Sequence, residues 1–358
     1  MKTRIFALLV AGVLSGCSGS VMQSSPPANP GPLPAMRAAH AEWGRSVRRV
    51  PLPGAGCFKA SYPAMTWRRI ACSTERLTPG FAPHIRPNSD YSASVKPNII
   101  ASATGSFPAV RGVKSVRSTN AGTATGTGSY SLQLNSQFFT TAACGAIAHC
   151  QGWVQFVYRN GRNHERGNLE IWDWLVSATA KPLSGCPPNF GWHGSSSSSS
   201  LVDCYQTSPV LDVPNQAIAK LADMSLSGLA SSGGDGIELV AGDTVYGMRK
   251  AQSDGIVDLS KYWNFAEFNV FGYSTAGSKP SSAKFNAGSS VTVSVEVDDG
   301  STSAPQCIGG YSTTFEINNL TLGVPPVNTP LPKDPSILFN ESNPGSGKSD
   351  CDALAGAG

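Results

Sequence analysis

The chain has 358 residues, and 27 Lys and Arg against 23 Asp and Glu give it a formal net charge of +4. Charged residues make up only 14% of it, where an average soluble domain has about 25%. With 38 Gly, 26 Pro and 40% hydrophobic content, this composition argues against a coiled coil, a helical bundle or a charged disordered chain, and the small dispersed charge argues against a nucleic-acid partner.

The chain opens as an export signal. Lys2 and Arg4 precede an apolar run, Ile5 to Leu14, too short to span a bilayer. Leu14-Ser15-Gly16-Cys17 follows and resembles the lipobox of bacterial lipoproteins. The resemblance implies that residues 1–16 are removed, that Cys17 is lipidated and anchors the chain in a lipid bilayer, and that Ser18 directs it to the outer membrane. Residues 17–34, rich in Ser and Pro, read as a tether. Within 35–90, a covering or propeptide-like segment, residues 35–50 predict a short basic helix. Trp43 and Val47 share one face of it, and Pro51 and Pro53 stop it.

Of nine Cys, the eight beyond Cys17 form an even set in an exported chain, which reads as disulfides. Spacing favours local pairs: Cys57 with Cys72, Cys144 with Cys150, Cys186 with Cys204 and, by elimination, Cys307 with Cys351. No CxxC occurs and the five His do not cluster with Cys, so neither a metal nor another cofactor is expected.

From residue 91 the texture is of short strands between turn residues. The runs include 98–103, 130–135, 152–159, 169–176, 236–240, 244–248, 265–271 and 289–297. Val291 to Val297 alternates apolar and polar residues, the mark of a strand with one buried face. The pattern predicts an all-β fold over 91–323, a two-sheet antiparallel β-sandwich or jelly roll with long disulfide-clipped loops. Asn215 to Met224 reads as one short helix. The serine run Ser195 to Ser200 reads as a disordered loop tip, and the Pro- and Gly-rich residues 324–358 as a tail laid over the domain.

GxSxG, HExxH and P-loop motifs are absent, and Gly233-Gly234-Asp235-Gly236 reads as a hairpin turn. Two aromatic strands stand out, Trp153 to Tyr158 and Tyr262 to Phe271. In the second, Ala266, Phe268 and Val270 form the natural core face, and Glu267 and Asn269 point to the other side among aromatic rings. Burial there would raise a carboxyl toward acid–base use. In Leu169 to Leu175, Glu170, Trp172 and Trp174 share a face. With Trp153 these rings could line a sugar or peptide groove, or pack together.

The order of these elements resembles the eqolisins, secreted glutamic peptidases. Thr104-Gly105-Ser106-Phe107-Pro108-Ala109-Val110 is similar to their early G-x-F-x-V-P segment. Next come the strand carrying Gln155, then Ile171-Trp172-Asp173-Trp174 beside their W-x-E-W, and Ala266-Glu267-Phe268 beside their Ala-Glu-Trp. The match spans residues 91–297. Where the family has W-V-G-I-D-G, this chain has Leu132-Gln133-Leu134-Asn135-Ser136, and Asp173 replaces a Glu. The resemblance implies a concanavalin A-like sandwich. It implies Glu267 as general base and acid in an acid-active endopeptidase, with Gln155 as the amide that polarises the scissile carbonyl. The alternatives are a non-catalytic module that binds glycan or peptide through Trp153, Trp172, Trp174 and Asn269, and a structural envelope protein.

Overall fold

The computed structural model describes residues 34–73, 90–120, 123–161, 166–179, 181–188, 193–198, 201–250, 256–272, 281–309, 313–314, 316–323, 334–345 and 351–356. Lys2, Arg4, the lipobox, Cys17 and residues 18–33 of the tether lie outside them, and Pro34 begins the first helix. Among the described residues, no helix is long and apolar enough to cross a membrane.

Two antiparallel sheets carry the fold. The first has ten strands, in the order Arg68–Ile70, Gly56–Ser61, Thr244–Arg249, Gly236–Ala241, Met224–Leu229, Ser102–Arg111, Ser289–Asp298, Ser336–Asn343 and Thr321–Gly323; Cys351–Leu354 also pairs with Ser336–Asn343. The second has nine, in the order His193–Ser198, Leu201–Thr207, Gly167–Ser177, Cys150–Asn160, Tyr130–Ser136, Phe265–Phe271, Tyr91–Ser94 and Gln306–Gly309; Leu211–Val213 pairs with Gly167–Ser177. A third, four-stranded sheet includes Ser281–Phe285 and Val116–Asn120.

The sheets meet through their even or odd faces as period two dictates. Val291, Val293 and Val295 point inward and are fully buried, as are Ile237, Leu239 and Leu226 of the same sheet. From the second sheet come Phe156, Ile171, Phe268 and Val270. Two glycines set the spacing. A Cβ on Gly105 would lie 1.9 Å from the Phe268 ring, and one on Gly228 would lie 2.5 Å from Phe156. Each aromatic ring of the second sheet therefore fills the space a side chain would need on the first, and Phe107 packs against Phe268 with centroids 5.2 Å apart.

The four disulfides expected from spacing are present: Cys57–Cys72, Cys144–Cys150, Cys186–Cys204 and Cys307–Cys351. The last closes the longest loop and clasps an edge strand of each sheet, Gln306–Gly309 to Cys351–Leu354. Closing such loops stabilises by about 2–4 kcal/mol each.

The predicted N-terminal helix is Pro34–Arg48, with Trp43 and Val47 packed on Ala60, Val240 and Val245. Those valines face away from the sandwich core, so the helix lies on the outer face of the ten-stranded sheet. Arg48 anchors it there by donating to the hydroxyls of Thr104 and Ser227, at 2.8 and 2.7 Å.

The structure redraws the expected boundaries. Gly56–Ser61 pairs with Thr244–Arg249, so residues 56–70 are part of a sheet and not a cover over the domain. Ser336–Asn343 is an internal strand beside Ser289–Asp298, not a tail, because Ile337, Phe339 and Glu341 alternate into the core. Ser195 to Ser198 form part of the edge strand His193–Ser198, not a loop tip; Ser199 and Ser200 lie outside the described residues. The expected helix at 215–224 is a short 3-10 helix, Ile218–Asp223.

One buried ionic cluster ties the sheets together. Asp173 turns inward from the second sheet and both its carboxylate oxygens accept from Lys250 Nζ at 2.8 Å. Asp235, in the turn leading into Gly236–Ala241, lies 3.1 Å from the same ammonium. Burial opposes ionisation of Asp173, whereas the two carboxylates raise the Lys250 pKa. Removing one partner of such a set strands buried charge. Lys250→Met is expected to lower stability by about 3–5 kcal/mol, read as a shift of the urea midpoint at unchanged slope; a change under about 1 kcal/mol would contradict a buried, ionised cluster.

Candidate functional site

The outer face of the nine-stranded sheet collects the candidate residues. Because Phe268 points into the sandwich, Glu267 points out of it, and the neighbouring strands obey the same alternation. Register places Glu267 opposite Ser92 on one side and Asn135 on the other; Asn135 lies opposite Gln155, and Gln155 opposite Trp172. Ser92, Glu267, Asn135, Gln155 and Trp172 thus form one transverse row.

Hydrogen bonds join the row. Asn135 Nδ2 donates to Glu267 Oε2 at 3.2 Å. Asn135 Oδ1 accepts from Gln155 Nε2 at 3.3 Å, and that amide makes a shorter bond, 2.9 Å, to Gln133 Oε1. Gln155 Oε1 accepts from the Trp174 indole N–H at 3.1 Å, which fixes the direction of the Gln155 amide. One asparagine therefore bridges the Glu267 carboxylate and the Gln155 amide. Both ends are buried, Glu267 at 0% and Gln155 at 4% relative exposure.

Beside this row the face is aromatic. Trp153, Trp172 and Trp174 pack on one another, with Trp174 centroids 6.1 and 5.9 Å from the other two and 5.6 Å from Tyr205. All three are buried, so no broad ring face is open for stacking. The Trp153 indole donates to Ser136 O. The Trp172 indole N–H, next to Gln155, is buried and has no hydrogen-bond partner among the described residues. Glu170 pairs with Arg159, whose guanidinium also lies over the Trp172 ring.

Asn269 follows Glu267 on the same strand but serves a different group. Its Nδ2 donates to Glu341 Oε2 at 3.0 Å and reaches Asp90 Oδ2 at 3.5 Å, linking this strand to the ten-stranded sheet. Burial raises the Asp90 pKa, and the nearby carboxylates of Glu267 and Glu341 raise it further. Burial also pushes Glu341 up to about 7, against the donors Asn269 and Asn318. Three carboxyls thus lie close together out of water.

Thr313 and Glu316 also reach this face. The backbone N–H of Thr313 donates to Glu267 Oε2 at 3.0 Å, and its hydroxyl donates to the same oxygen. Glu316 accepts from Gln133 Nε2 and from the Ser281 hydroxyl. Among the described residues, no group of three or more His, Cys, Asp or Glu is placed to hold a metal ion.

The structure therefore brings Gln155 and Glu267 onto one face and one row, with the three Trp beside them and Asn269 at the margin. Gln133 and Asn135 were missed from sequence, although Ser131, Gln133 and Asn135 alternate with Leu132 and Leu134 and so mark a polar face. Asp90 and Thr313 lie outside any periodic run and carry no such signal. Comparison with protein-family profiles, curated proteins and solved structures finds no match to this chain.

The raised carboxyls set a pH dependence. Burial lifts Glu341 and Asp203 to about 7 and Glu238 to about 8. Between its unfolded value, near 4, and the raised value, each folded carboxyl keeps a proton that the unfolded chain has released. Their contribution is therefore fully present below about pH 4 and lost as pH rises toward 7–8. The thermal midpoint is expected to fall steadily from pH 4.5 to 8.5, and Glu341→Gln to flatten that fall. A midpoint that rises over this range would contradict the assignment.

Proposed function

We propose that the chain is an exported, lipid-anchored endopeptidase of the glutamic, eqolisin-like type, active in acid on polypeptide substrates. The observation that carries the reading is the bridged pair: Gln155 and Glu267 stand on one face in one row, joined through Asn135. The resemblance of the Gln155, Trp172-Asp173-Trp174 and Glu267 strands to that family supports the same assignment.

The chemistry follows from these groups. The Glu267 carboxylate takes a proton from a water molecule as the water oxygen attacks the scissile carbonyl carbon. The carbonyl oxygen gains the charge and needs a donor. Gln155 Nε2 supplies one by exchanging its longer bond, that to Asn135, for the oxyanion, while Gln133 and Trp174 keep the amide oriented. The proton held by Glu267 then passes to the departing amine nitrogen as the C–N bond breaks, and the carboxylate is restored. The Trp172 N–H, which has no partner among the described residues, adds a second buried donor beside Gln155. Acid suits the site because it keeps Asp90 and Glu341 neutral beside Glu267.

The glycan-binding alternative relies on exposed ring faces. Trp153, Trp172 and Trp174 spend theirs on one another; the peptidase reading does not draw on ring faces and rests on the bridged pair.

The test incubates the mature chain, intact and after limited proteolysis, with a denatured protein from about pH 2.5 to 7. Glu267→Gln is expected to abolish cleavage, and Gln155→Ala to lower kcat by about 100-fold, the loss typical of a single oxyanion donor. Both variants are to be checked for a native circular dichroism spectrum. Cleavage that survives Glu267→Gln would sink the assignment. The anchor is tested separately: Cys17→Ala is expected to move the chain from the membrane fraction to the soluble one and to remove its fatty-acid label.

A further inference from the structure

We propose that the side chains of Lys250 and Asp173 condense to a covalent amide, a cross-link that joins the two sheets through the core. The bond does not depend on the peptidase reading.

Strand alternation sets up the meeting. In Gly167–Ser177, Ile171, Asp173 and Leu175 share the inner face, and Trp172 and Trp174 the outer one. Asp173 is thus a carboxylate set between two apolar core residues. Lys250 comes from the other sheet, one residue past the end of Thr244–Arg249, and its backbone N–H donates to Asp235 O at 2.9 Å. Among the described residues it is the one buried lysine. Lys250, Asp173 and Asp235 are 5%, 1% and 1% exposed.

The three groups are placed for a condensation. Lys250 Nζ lies 2.8 Å from each oxygen of Asp173. Equal reach to both oxygens holds the Cγ between them about 3–3.5 Å away, the separation from which attack begins. Asp235 faces the same nitrogen with one oxygen only: Oδ2 is 3.1 Å from Nζ, and Oδ1 accepts from the Ser231 N–H at 3.4 Å. Asp173 is therefore the acceptor and Asp235 the base. Burial favours the neutral acid at Asp173, whereas the carboxylates hold Lys250 as an ammonium. A proton must leave Nζ before it can attack, and Asp235 is the second group in place to take it.

The step balances without any further reagent. Asp235 Oδ2 takes one proton from Nζ and passes it to an Asp173 oxygen, leaving a neutral amine against a neutral acid. The Nζ electron pair attacks Cγ, and the C–N bond forms as the carbonyl π pair moves onto oxygen. Asp235 then carries a second proton from Nζ to the hydroxyl. The C=O bond reforms, the C–O bond breaks and water departs. One ammonium and one carboxylate become a secondary amide and water, and Asp235 ends as it began. The reaction runs once in the life of a chain, so it need not be fast. The link closes 77 residues of sequence, and unlike the four disulfides it survives reduction. The comparison of Lys250→Met at unchanged urea slope reads the freshly folded, still ionic cluster. After closure the variant unfolds with the steeper slope, because the cross-linked chain keeps a covalent loop and exposes less surface.

The test purifies the folded chain from cells, then reduces, unfolds and digests it with trypsin for tandem mass spectrometry. A branched peptide joining Lys250 to Asp173, one water lighter than its two arms together, is expected in place of the two linear peptides. Lys250→Met is expected to give no branch. Asp235→Asn, checked for a native circular dichroism spectrum, is expected to slow closure by about 100-fold, the usual share of a positioned base, so that linear peptides dominate its digest. A wild-type digest holding only the linear peptides would overturn the bond, and a branch at Asp235 in place of Asp173 would overturn the acceptor. An undiminished branch in Asp235→Asn would remove Asp235 from the step. If that variant fails to fold, the wild-type digest still decides the bond, since it needs no substitution.

Discussion

The contact on which the arrangement depends is an aromatic ring set into a glycine. Phe268 occupies the volume that a side chain at Gly105 would fill, and Phe156 does the same at Gly228. Interiors are packed densely enough that these rings cannot trade places with their neighbours. Once Phe268 is committed inward, the alternation of the strand commits Glu267 outward. The same holds for Gln155, next to Phe156. A one-residue slip in either strand would exchange a phenyl ring for a polar side chain in the core. The pairing of Glu267 with Asn135, and of Asn135 with Gln155, is thus a consequence of how the inner face closes.

The outer face then has a problem that the inner one does not. A row of Glu, Asn and Gln side chains on a sheet is ordinary when water covers it. Here the row is buried, and each polar atom must find a partner within the protein. Asn135 and Gln133 satisfy Gln155, Trp174 fixes its carbonyl, and Thr313 satisfies Glu267. The partners are neutral donors and acceptors, unlike the Lys250 cluster between the sheets, where opposite charges meet. A bond to a neutral partner can be exchanged for another at modest cost, whereas removing one member of a buried charge set leaves the others uncompensated. The two buried polar systems therefore differ in kind: the ionic one joins the two sheets, and the other joins neighbouring strands of one sheet.

Much of this was legible in the sequence, and the reasons for the rest are physical. The sandwich could be read because Val291 to Val297 and Ala266 to Val270 alternate strictly, and the disulfides because three of the four pairs are local in sequence. The outward placement of Glu267 followed from the same period. The sheet membership of Gly56–Ser61 and Ser336–Asn343 did not, because proline-rich flanks look like tether or tail whether or not the strand between them is captured. The buried state of the three Trp was also hidden, since rings that pack on each other and rings that await a sugar have the same spacing. Asp90 and Thr313 reach Glu267 only through long-range closure of the chain, for which a single sequence carries no periodic signal.

Acid conditions favour the folded state. Glu341 and Asp90 lie near Glu267, while Glu238 lies under the N-terminal helix on the far side of the sandwich, beside the buried guanidinium of Arg48. In all three, burial favours the protonated form. A chain built for neutral surroundings gains nothing from storing so many carboxyls out of water, because each would cost stability at pH 7. In acid that cost disappears, because Asp90 and Glu341 then keep their protons in the folded and the unfolded chain alike. The raised carboxyls stand on both sides of the sandwich, so the gain in stability toward acid belongs to the whole domain and not to one face.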